Sequence, residues 1–399
     1  MGASSKPTIL AFTACYLPGY KGGGPIRSVA NIADQLGNEF SFRVFTGDRD
    51  HGDGVPYPGV TLDRWVSVGS AQVYYASRGR LTAGDLIRLL RNTSHDVLYL
   101  NSLFNARFTI LPLLLRRLGL VDPKPVVLAP RGELDSGALA LKPVKKRAFL
   151  LCAKFLGLYS GITWQASSEL EAKRIADVMG APLNRVLVAP NLPGALGPNC
   201  ECEPRRPGDP LVIAFLSRIS RKKNLDFALH VLSEVRAPVL FSIYGVAEDE
   251  GYWSECQRLI DDLPDHIRVE YRGDVRHSQV HDVLSASDLF FLPTRGENYG
   301  HVILEALAAG LPVLISDQTP WNDLRDRGAG WTLPLDATAP FAAVINEFAS
   351  YSPEQRVEIS RRARAYASEV IAADEALQLN IALFSSVVGL TEKRGAVQS

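Results

Sequence analysis

A strand–helix–strand pattern in the last third of the chain constrains the fold more than any other feature. Apolar residues fill positions 289–293 and 312–315, and short apolar runs of this kind are typical of buried parallel strands. Between the two runs, one helical face repeats at i, i+3, i+4 and i+7 through Ile303, Ala306, Leu307 and Gly310. The pattern predicts a β–α–β unit, and therefore a parallel sheet covered by helices.

Two glutamates flank the start of this predicted helix. Glu297 lies in the loop that enters the helix and Glu305 lies on the helix, a separation of about 12 Å along a helix axis. The backbone N–H groups of Asn298, Tyr299 and Gly300 lie between them, at a helix N-terminus that suits an anion. A ligand with hydroxyls at both ends and phosphate in the middle is a nucleotide sugar. The alternative is a surface helix with two solvated glutamates.

Length and composition favour two globular domains. The chain has 399 residues, of which 46% are apolar and 22% are charged, as in ordinary globular proteins. The formal net charge is zero, so nothing in the overall charge indicates a nucleic-acid partner. The start of the chain has no hydrophobic segment typical of a signal peptide, and no run approaches the roughly 20 apolar residues of a membrane span. A cytoplasmic location is therefore expected.

The cysteines and histidines do not form a metal-binding pattern. Cys200 and Cys202 are too close together for the usual zinc spacing, and the seven histidines include no H-x-x-x-H pair. Reduced thiols, no metal site and no cofactor are expected.

The first half of the chain alternates predicted strands and helices. A strand at 8–13, a loop of three glycines around Gly23 and a helix beginning near Pro25 form a β–α unit. Such a unit brings backbone close to a ligand at the edge of a sheet, although a flexible turn is the alternative. Further strands are predicted at 41–45, 72–75, 96–100, 125–129, 161–165 and 186–191. The same rhythm restarts at 211–216, after a segment rich in proline, glycine and charge that is typical of a linker.

Four cations follow the first strand of the second half. The loop 217–224 contains Arg218, Arg221, Lys222 and Lys223. Arginine forks and lysine point charges suit a diphosphate, and the loop is predicted at the same sheet edge as Glu297. The alternative is a solvated basic turn.

Two other basic features lie in the first half. Arg131 follows the strand at 125–129 and is a candidate for reaching a ligand, unless it is a structural partner of Glu133 or Asp135. Residues 142–154 mix Lys142 and four further cations with large apolar residues. This segment is either an interfacial helix that meets anionic lipid or, as we favour from sequence, a helix with its cations outward and its apolar face in the core.

Taken together, these motifs resemble those of the retaining GT-B-fold glycosyltransferases called family 4, including members that build bacterial surface polysaccharides. Glu297 and Glu305 match the E-x7-E pattern of that family, and Arg218 and Lys223 match its Arg-x4-Lys pair. The glycines around Gly23 match its first glycine loop, and residues 273–275 match the loop beside the nucleobase. The similarity covers nearly the whole chain and is strongest at 211–330.

The resemblance implies two facing Rossmann-like domains with a central cleft. It implies an acceptor-side domain at 1–195, a linker at 196–210, a nucleotide-sugar domain at 211–370, and a helix at 371–390 that returns to the first domain. Many relatives place a histidine in the first-domain cleft where this chain has Pro-Arg-Gly, so Arg131 is the candidate for that sugar contact.

The resemblance also implies roles for the matching residues. Arg218 and Lys223 would neutralise the leaving diphosphate, and Glu297 would bind sugar hydroxyls. The remaining donor-binding candidates are Gly23, Asn298, Tyr299, Gly300, Glu305 and Val275.

The implied reaction is retaining, metal-independent transfer of a sugar from a UDP- or GDP-sugar to a glycan or lipid-linked acceptor. Peripheral membrane contact stays one interpretation of residues 142–154. Two alternatives stay open, a sugar-nucleotide epimerase of the same fold and a non-catalytic nucleotide-sugar-binding subunit.

Overall fold

Two units make up the chain, Met1–Leu192 with Asp374–Ser399, and Pro193–Ala373. The structure, a computed structural model, describes residues 6–135, 138–139, 143–194 and 209–395. Lys142 and all of the expected linker except Asp209 and Pro210 lie outside these described residues. Each unit is built on one largely parallel sheet, so the prediction of two Rossmann-like domains is confirmed.

The first unit is an eight-stranded sheet. Its strands are β1 Thr8–Phe12, β2 Ser41–Gly47, β3 Trp65–Val68, β4 Ala71–Ala76, β5 Val97–Asn101, β6 Val126–Ala129, β7 Thr163–Ala166 and β8 Val186–Val188. Their order is β3-β4-β2-β1-β5-β6-β7-β8. The pairing is parallel except for β3, which runs antiparallel to β4 at one edge. The sequence predicted seven of these strands. Strand β3 was missed, because three of its residues are only partly buried and Ser67 is exposed.

Helices cover both faces of this sheet, because most of its strands are buried on both sides. They are α1 Gly24–Gln35, α2 Ala83–Asn92, α3 Leu111–Arg117, α4 Pro143–Phe155, α5 Glu169–Met179 and, from the end of the chain, α13 Glu375–Gly395. Phe384 of α13 is fully buried, with its ring against those of Phe40, Phe42 and Tyr99. The amide of Asn380 donates a 2.8 Å hydrogen bond to the carbonyl of Pro190. The C-terminal helix is therefore part of the core of the first unit.

The second unit is a six-stranded parallel sheet in which every pairing runs the same way. Its strands are β9 Leu211–Leu216, β10 Val239–Tyr244, β11 Ile267–Gly273, β12 Leu289–Leu292, β13 Val313–Ser316 and β14 Gly330–Leu333, and its helices are α6 Leu225–Ser233, α7 Glu250–Asp261, α8 His277–Ser285, α9 His301–Ala308, α10 Leu324–Arg327, α11 Ala339–Ala349 and α12 Pro353–Ala372. The strand order is β11-β10-β9-β12-β13-β14.

This strand order determines which loops are neighbours. Strands β9 and β12 lie side by side, with Ile213 opposite Leu289 and Ala214 opposite Phe290. Because parallel strands end at the same edge, the basic loop after β9 and the Glu297 loop after β12 emerge together. Helix α9 buries Ile303, Ala306 and Leu307, as the helical spacing predicted, and also Leu304.

Among the residues that the structure describes, one helical stretch, Pro353–Gly389, has the length and apolar composition to cross a membrane. The sequence pattern did not indicate this, because the stretch contains no unbroken run of about 20 apolar residues. A core helix of a soluble protein can have the same length and apolar composition. Here Ala373 adopts an extended conformation that separates α12 from α13, and Leu383, Phe384 and Val387 are buried in the first unit.

Candidate functional site

An ion pair between Lys223 and Glu297 joins the two neighbouring loops of the second unit. The side chains are only 11% and 15% exposed, respectively. Burial lowers the pKa of Lys223 below its ordinary value; Glu297 opposes that shift, and the nearby Arg218 adds to it. Lys223 is thus held in place as a positive group. It requires the carboxylate of Glu297, because burying an unpaired charge costs free energy.

Backbone and amide hydrogen bonds fix the loop that carries Lys223. Asn224 has φ 62° and caps α6 in the left-handed region, which asparagine tolerates better than most residues. Its Nδ2 donates to the carbonyl of Pro293 at 2.9 Å, and its Oδ1 accepts from Nε of Arg295 at 2.8 Å. The N–H of Arg295 donates to the carbonyl of Lys222 at 2.8 Å. The two loops therefore form one rigid edge rather than two separate turns.

Arg218 lies at the start of the same loop and is less buried than Lys223. Its Nη1 is 2.7 Å from Oε1 of Glu248, and its side chain is 39% exposed. Arg221 instead pairs with Glu255 at 2.7 Å and lies over the ring of Tyr252 at 5.0 Å. Of the other cations in the loop, Arg218 and, more weakly, Lys222 act electrostatically on Lys223.

Gly245 brings the end of β10 against the end of β9. Its φ is 136°, and a Cβ built there would lie 1.9 Å from the carbonyl oxygen of Ser217. The N–H of Gly245 donates to the carbonyl of Gly273 at 2.7 Å. One glycine therefore lets three strand ends converge, those that lead to Arg218, to Gly245 itself and to Val275.

Gly300 and Trp321 determine the backbone geometry at the start of α9. Gly300 caps the helix with φ 77°, and a Cβ there would lie 2.8 Å from Cδ1 of Ile303 and 3.3 Å from Nε1 of Trp321. That indole N–H donates to the carbonyl of Tyr299 at 2.5 Å. The ring of Tyr299 packs 4.7 Å from that of His301, and burial raises the pKa of Tyr299. The side chains of Ile303, Trp321 and His301 therefore pack against the start of α9 and fix its position.

Glu305 and Val275 lie on neighbouring elements at this sheet edge. Oε1 of Glu305 is 3.9 Å from Nδ1 of His277, at the first residue of α8. Val275 is partly buried against the core of the second unit, two residues before that helix. The structure therefore connects the helix that carries Glu305 to the loop that carries Val275 through His277, a residue that the sequence reasoning did not select.

Gly23 lies in the first unit, where its loop is already occupied by a carboxylate. Gly23 caps α1 with φ 67°. The buried Asp50 accepts hydrogen bonds from the N–H groups of Tyr20 at 2.6 Å, Lys21 at 2.9 Å and Gly22 at 3.3 Å. Asp50 therefore orders the glycine loop from inside the protein, and no spacing in the sequence signals this contact.

Arg131 makes hydrogen bonds with neighbouring strand ends rather than with the acids proposed as its structural partners. Its Nη2 donates to Oδ1 of Asn101 at 2.8 Å and to the hydroxyl of Tyr99 at 2.5 Å, and its Nη1 donates to Asn191. Its φ is 55°. The two acids bind elsewhere. Glu133 accepts from Ser102 at 2.9 Å, and Asp135 pairs with Arg174. Arg131 is thus an organising residue of its own sheet edge.

No metal site is evident in the part of the chain that the structure describes, where no three His, Cys, Asp or Glu side chains cluster. Asp48 and Asp50 are spaced as a pair of metal ligands could be. Both are engaged, Asp48 with Nε of Arg49 at 2.7 Å and Asp50 with the glycine loop.

Comparison with known proteins reveals a family match in the second unit. Residues 202–366 match the family model for glycosyl transferases group 1. The gpi3 subunit of phosphatidylinositol N-acetylglucosaminyltransferase from Schizosaccharomyces pombe is 30% identical over 140 residues, which are 34% of this chain and 30% of that protein. A putative colanic acid biosynthesis glycosyltransferase, WcaL from Salmonella typhimurium, is 25% identical over 40% of this chain and 41% of that protein. The chain thus spans less than half the length of the curated relatives it matches.

The fold matches solved structures over nearly the whole chain. HepE from Anabaena, solved in complex with UDP and glucose, has a TM-score of 0.69 at 16% identity and covers 96% of this chain and 100% of its own. Sucrose-phosphate synthase from Thermosynechococcus elongatus gives the same TM-score, identity and coverage. The predicted fold class is confirmed. The family match is confined to residues 202–366, and the chain has the fold of GT-B glycosyltransferases.

Proposed function

We propose that this protein transfers a sugar from a UDP- or GDP-sugar to an acceptor hydroxyl, with retention at the anomeric carbon. The observation that carries the proposal is the buried pair of Lys223 and Glu297, with Arg218 within electrostatic range and the N-terminus of α9 beside Glu297. Fixed positive charge, a carboxylate and a helix N-terminus at one sheet edge suit a sugar linked to a diphosphate. HepE, whose structure contains UDP and glucose, supports the donor class.

Each residue of this edge has a role in the proposal. Arg218 and Lys223 hold the diphosphate, and the amides of Asn298, Tyr299 and Gly300 add hydrogen bonds to the donor. When a donor phosphate takes the place of the Glu297 carboxylate beside Lys223, Glu297 turns to the sugar hydroxyls. Glu305 holds the ribose, and Val275 contacts the base. In the first unit, Gly23 lets backbone approach the ligands and Arg131 supports the sugar side.

Charge stabilisation on the departing diphosphate drives the proposed reaction. The bond from the anomeric carbon to the phosphate oxygen breaks, and the bond to the acceptor oxygen forms on the same face. The proton of the acceptor hydroxyl passes to the departing diphosphate, whose negative charge Arg218, Lys223 and the N-terminus of α9 stabilise. Glu297 is not assigned as nucleophile, because its proposed role is to bind the sugar hydroxyls.

Activity is expected to be independent of added metal, since two cations and a helix N-terminus supply the positive charge. Initial rates should stay within about twofold when EDTA replaces Mg²⁺, because a bound divalent ion would otherwise supply several kcal/mol of charge stabilisation. The comparison should use donor and acceptor at fixed saturation. Loss of turnover in EDTA that Mg²⁺ restores would contradict metal independence while leaving the transferase assignment intact.

A nucleotide-sugar donor should stabilise the protein against heat. At a donor concentration of about 100 Kd the free energy of unfolding should rise by about 2.7 kcal/mol, which corresponds to a melting-temperature increase of roughly 5–10 °C for a unit of this size. Thermal-shift measurements with UDP-, GDP- and ADP-sugars test this, with the free sugar as control. If no nucleotide sugar raises the melting temperature at millimolar concentration, the donor assignment is wrong.

We further propose that the acceptor is a glycan or lipid-linked sugar in surface-polysaccharide or glycan biosynthesis, and that the protein works in the cytoplasm. The similarity to WcaL supports the pathway class, and the free thiols of Cys15, Cys152 and Cys256 agree with a reducing compartment. The epimerase and binding-subunit hypotheses gain no support from the relatives named above, which are transferases and a synthase. Sugar released without any acceptor would favour the epimerase.

A further inference from the structure

Helix α4 presents an apolar stripe to solvent. Val144 is 79% exposed, Leu151 is 70% exposed and Phe155 is 91% exposed. With the exposed Ala148 they recur at i, i+4, i+7 and i+11, which is one face of an α-helix. In the described part of the chain, twelve large apolar residues are exposed, and four of them fall within residues 144–156. Exposed apolar side chains concentrated in this way mark an interaction surface.

The opposite face of α4 fixes this orientation. Leu150 and Ala153 are buried in the core of the first unit, and the ring of Phe149 packs 5.7 Å from that of Phe104. Lys146 lies on this inner side, with Nζ 5.1 Å from the centroid of Phe104. The interpretation favoured from sequence, with the apolar face in the core, therefore describes only part of the helix, since its apolar residues divide between both faces.

Cations border the exposed stripe on both sides. At 100° per residue, Lys145 lies on one flank of Val144 and Leu151, while Arg147 and Lys154 lie on the other. All three cations are exposed, and the sequence of α4 contains no acidic residue. An apolar centre with a basic rim is the pattern of a helix that lies in the surface of an anionic bilayer.

We propose that the face formed by Val144, Ala148, Leu151 and Phe155, with Lys145, Arg147 and Lys154 around it (the α4 face), docks on an anionic lipid surface. The apolar side chains enter the boundary between headgroups and acyl chains, and the cations contact the lipid phosphates. The α4 face lies in the first unit, remote in sequence from the donor-binding edge, so docking does not depend on the proposed transferase activity. It goes beyond that activity by placing the protein at a membrane surface.

Vesicle co-sedimentation of the full chain tests the proposal. Vesicles of phosphatidylcholine alone are compared with vesicles that also contain phosphatidylglycerol. The chain should bind the anionic vesicles at least about tenfold more tightly, and salt should weaken the binding, because each exposed cation contributes about fivefold near an anionic surface. The triple variant Lys145→Gln/Arg147→Gln/Lys154→Gln should lose roughly 100-fold in affinity by the same factor.

The apolar half of the face has its own variant. Leu151→Glu/Phe155→Glu should reduce binding to anionic vesicles by at least about tenfold, because burying one such side chain stabilises by about 1.5–3 kcal/mol. The matched controls Leu183→Glu and Lys173→Gln change exposed residues elsewhere in the first unit and should bind as the parent does. Circular dichroism should show that all variants are folded.

Three results would overturn the proposal. The first is equal affinity for neutral and anionic vesicles, and the second is unchanged binding in the Leu151→Glu/Phe155→Glu variant. The third is self-association of the parent in sedimentation that this variant abolishes, since a second copy of the chain would then occupy the face. Donor-induced thermal stabilisation should be the same in parent and variants, so failure of docking is distinguishable from failure of the donor assignment.

Discussion

Lys223→Met is expected to lower turnover by about 10²–10³-fold and the free energy of unfolding by about 3 kcal/mol. The turnover loss follows from removing a fixed positive group that faces the charge developing on the diphosphate. The stability loss follows from leaving Glu297 without its partner in a site where both side chains are at most 15% exposed. The lower end of the range for buried pairs applies because neither side chain is fully enclosed.

A second variant separates the two effects. Lys223→Met/Glu297→Gln removes both charges, so most of the lost stability should return, as it does when a buried ion pair is replaced by neutral groups of similar volume. Turnover should stay low, since the diphosphate still lacks its lysine. Chemical unfolding and initial rates on the same preparations measure the two quantities. Full turnover in Lys223→Met would refute the phosphate role, and a double variant as unstable as the single one would refute the buried-pair argument.

An exposed ion pair of the same unit provides the control. Arg361 pairs with Glu358 on α12 at 2.8 Å, with side chains 66% and 44% exposed. Arg361→Ala should change the free energy of unfolding by less than about 1 kcal/mol, because solvent screens such pairs. Turnover should be that of the parent. The contrast tests whether the burial of Lys223, rather than ion pairing in general, makes it important.

The fold was predictable from sequence because buried parallel strands leave long apolar runs. Strands β9 and β12 are apolar throughout, and β13 is apolar except for Ser316. Gly310 and Pro312 follow the helix between β12 and β13. Edge strands give a weaker signal in the sequence. Strand β14 was missed, since Gly330–Leu333 has one buried residue and three that are partly exposed. The boundary near residue 370 came from the family resemblance and not from composition, because helical composition continues across it.

The candidate site was predictable where two motifs follow neighbouring strands, and not where a contact is long-range. Lys223 and Glu297 each follow a buried strand, so a common sheet edge could bring them together. Asp50 is 28 residues from Gly22 and reaches the glycine loop by a turn that no spacing predicts. The ion pair of Arg218 with Glu248 is another contact between distant residues that the sequence did not predict. Such contacts depend on loop conformations, which the periodicity of a sequence does not encode.

Gly245→Ala is the second change with a large expected effect, a loss of roughly 2–4 kcal/mol in the free energy of unfolding. The added Cβ would lie 1.9 Å from the carbonyl oxygen of Ser217 and 2.7 Å from its carbonyl carbon. Both are backbone atoms, so no side-chain rotation relieves the clash, and the strand end that leads into Arg218 must move. Donor affinity should fall with stability, because misplacing a binding group by about 1 Å can cost 100-fold.

Gly273→Ala is the matched control for this change. Gly273 also has a positive φ, 73°, but a Cβ there meets nothing within 4 Å. Its substitution should therefore cost only the backbone strain of a left-handed residue, about 1 kcal/mol. Thermal and chemical unfolding of the two variants separates strain from collision. If Gly245→Ala were no less stable than Gly273→Ala, the close approach of β9 and β10 would not determine the position of Arg218, and its orientation would have to come from its ion pair with Glu248 instead.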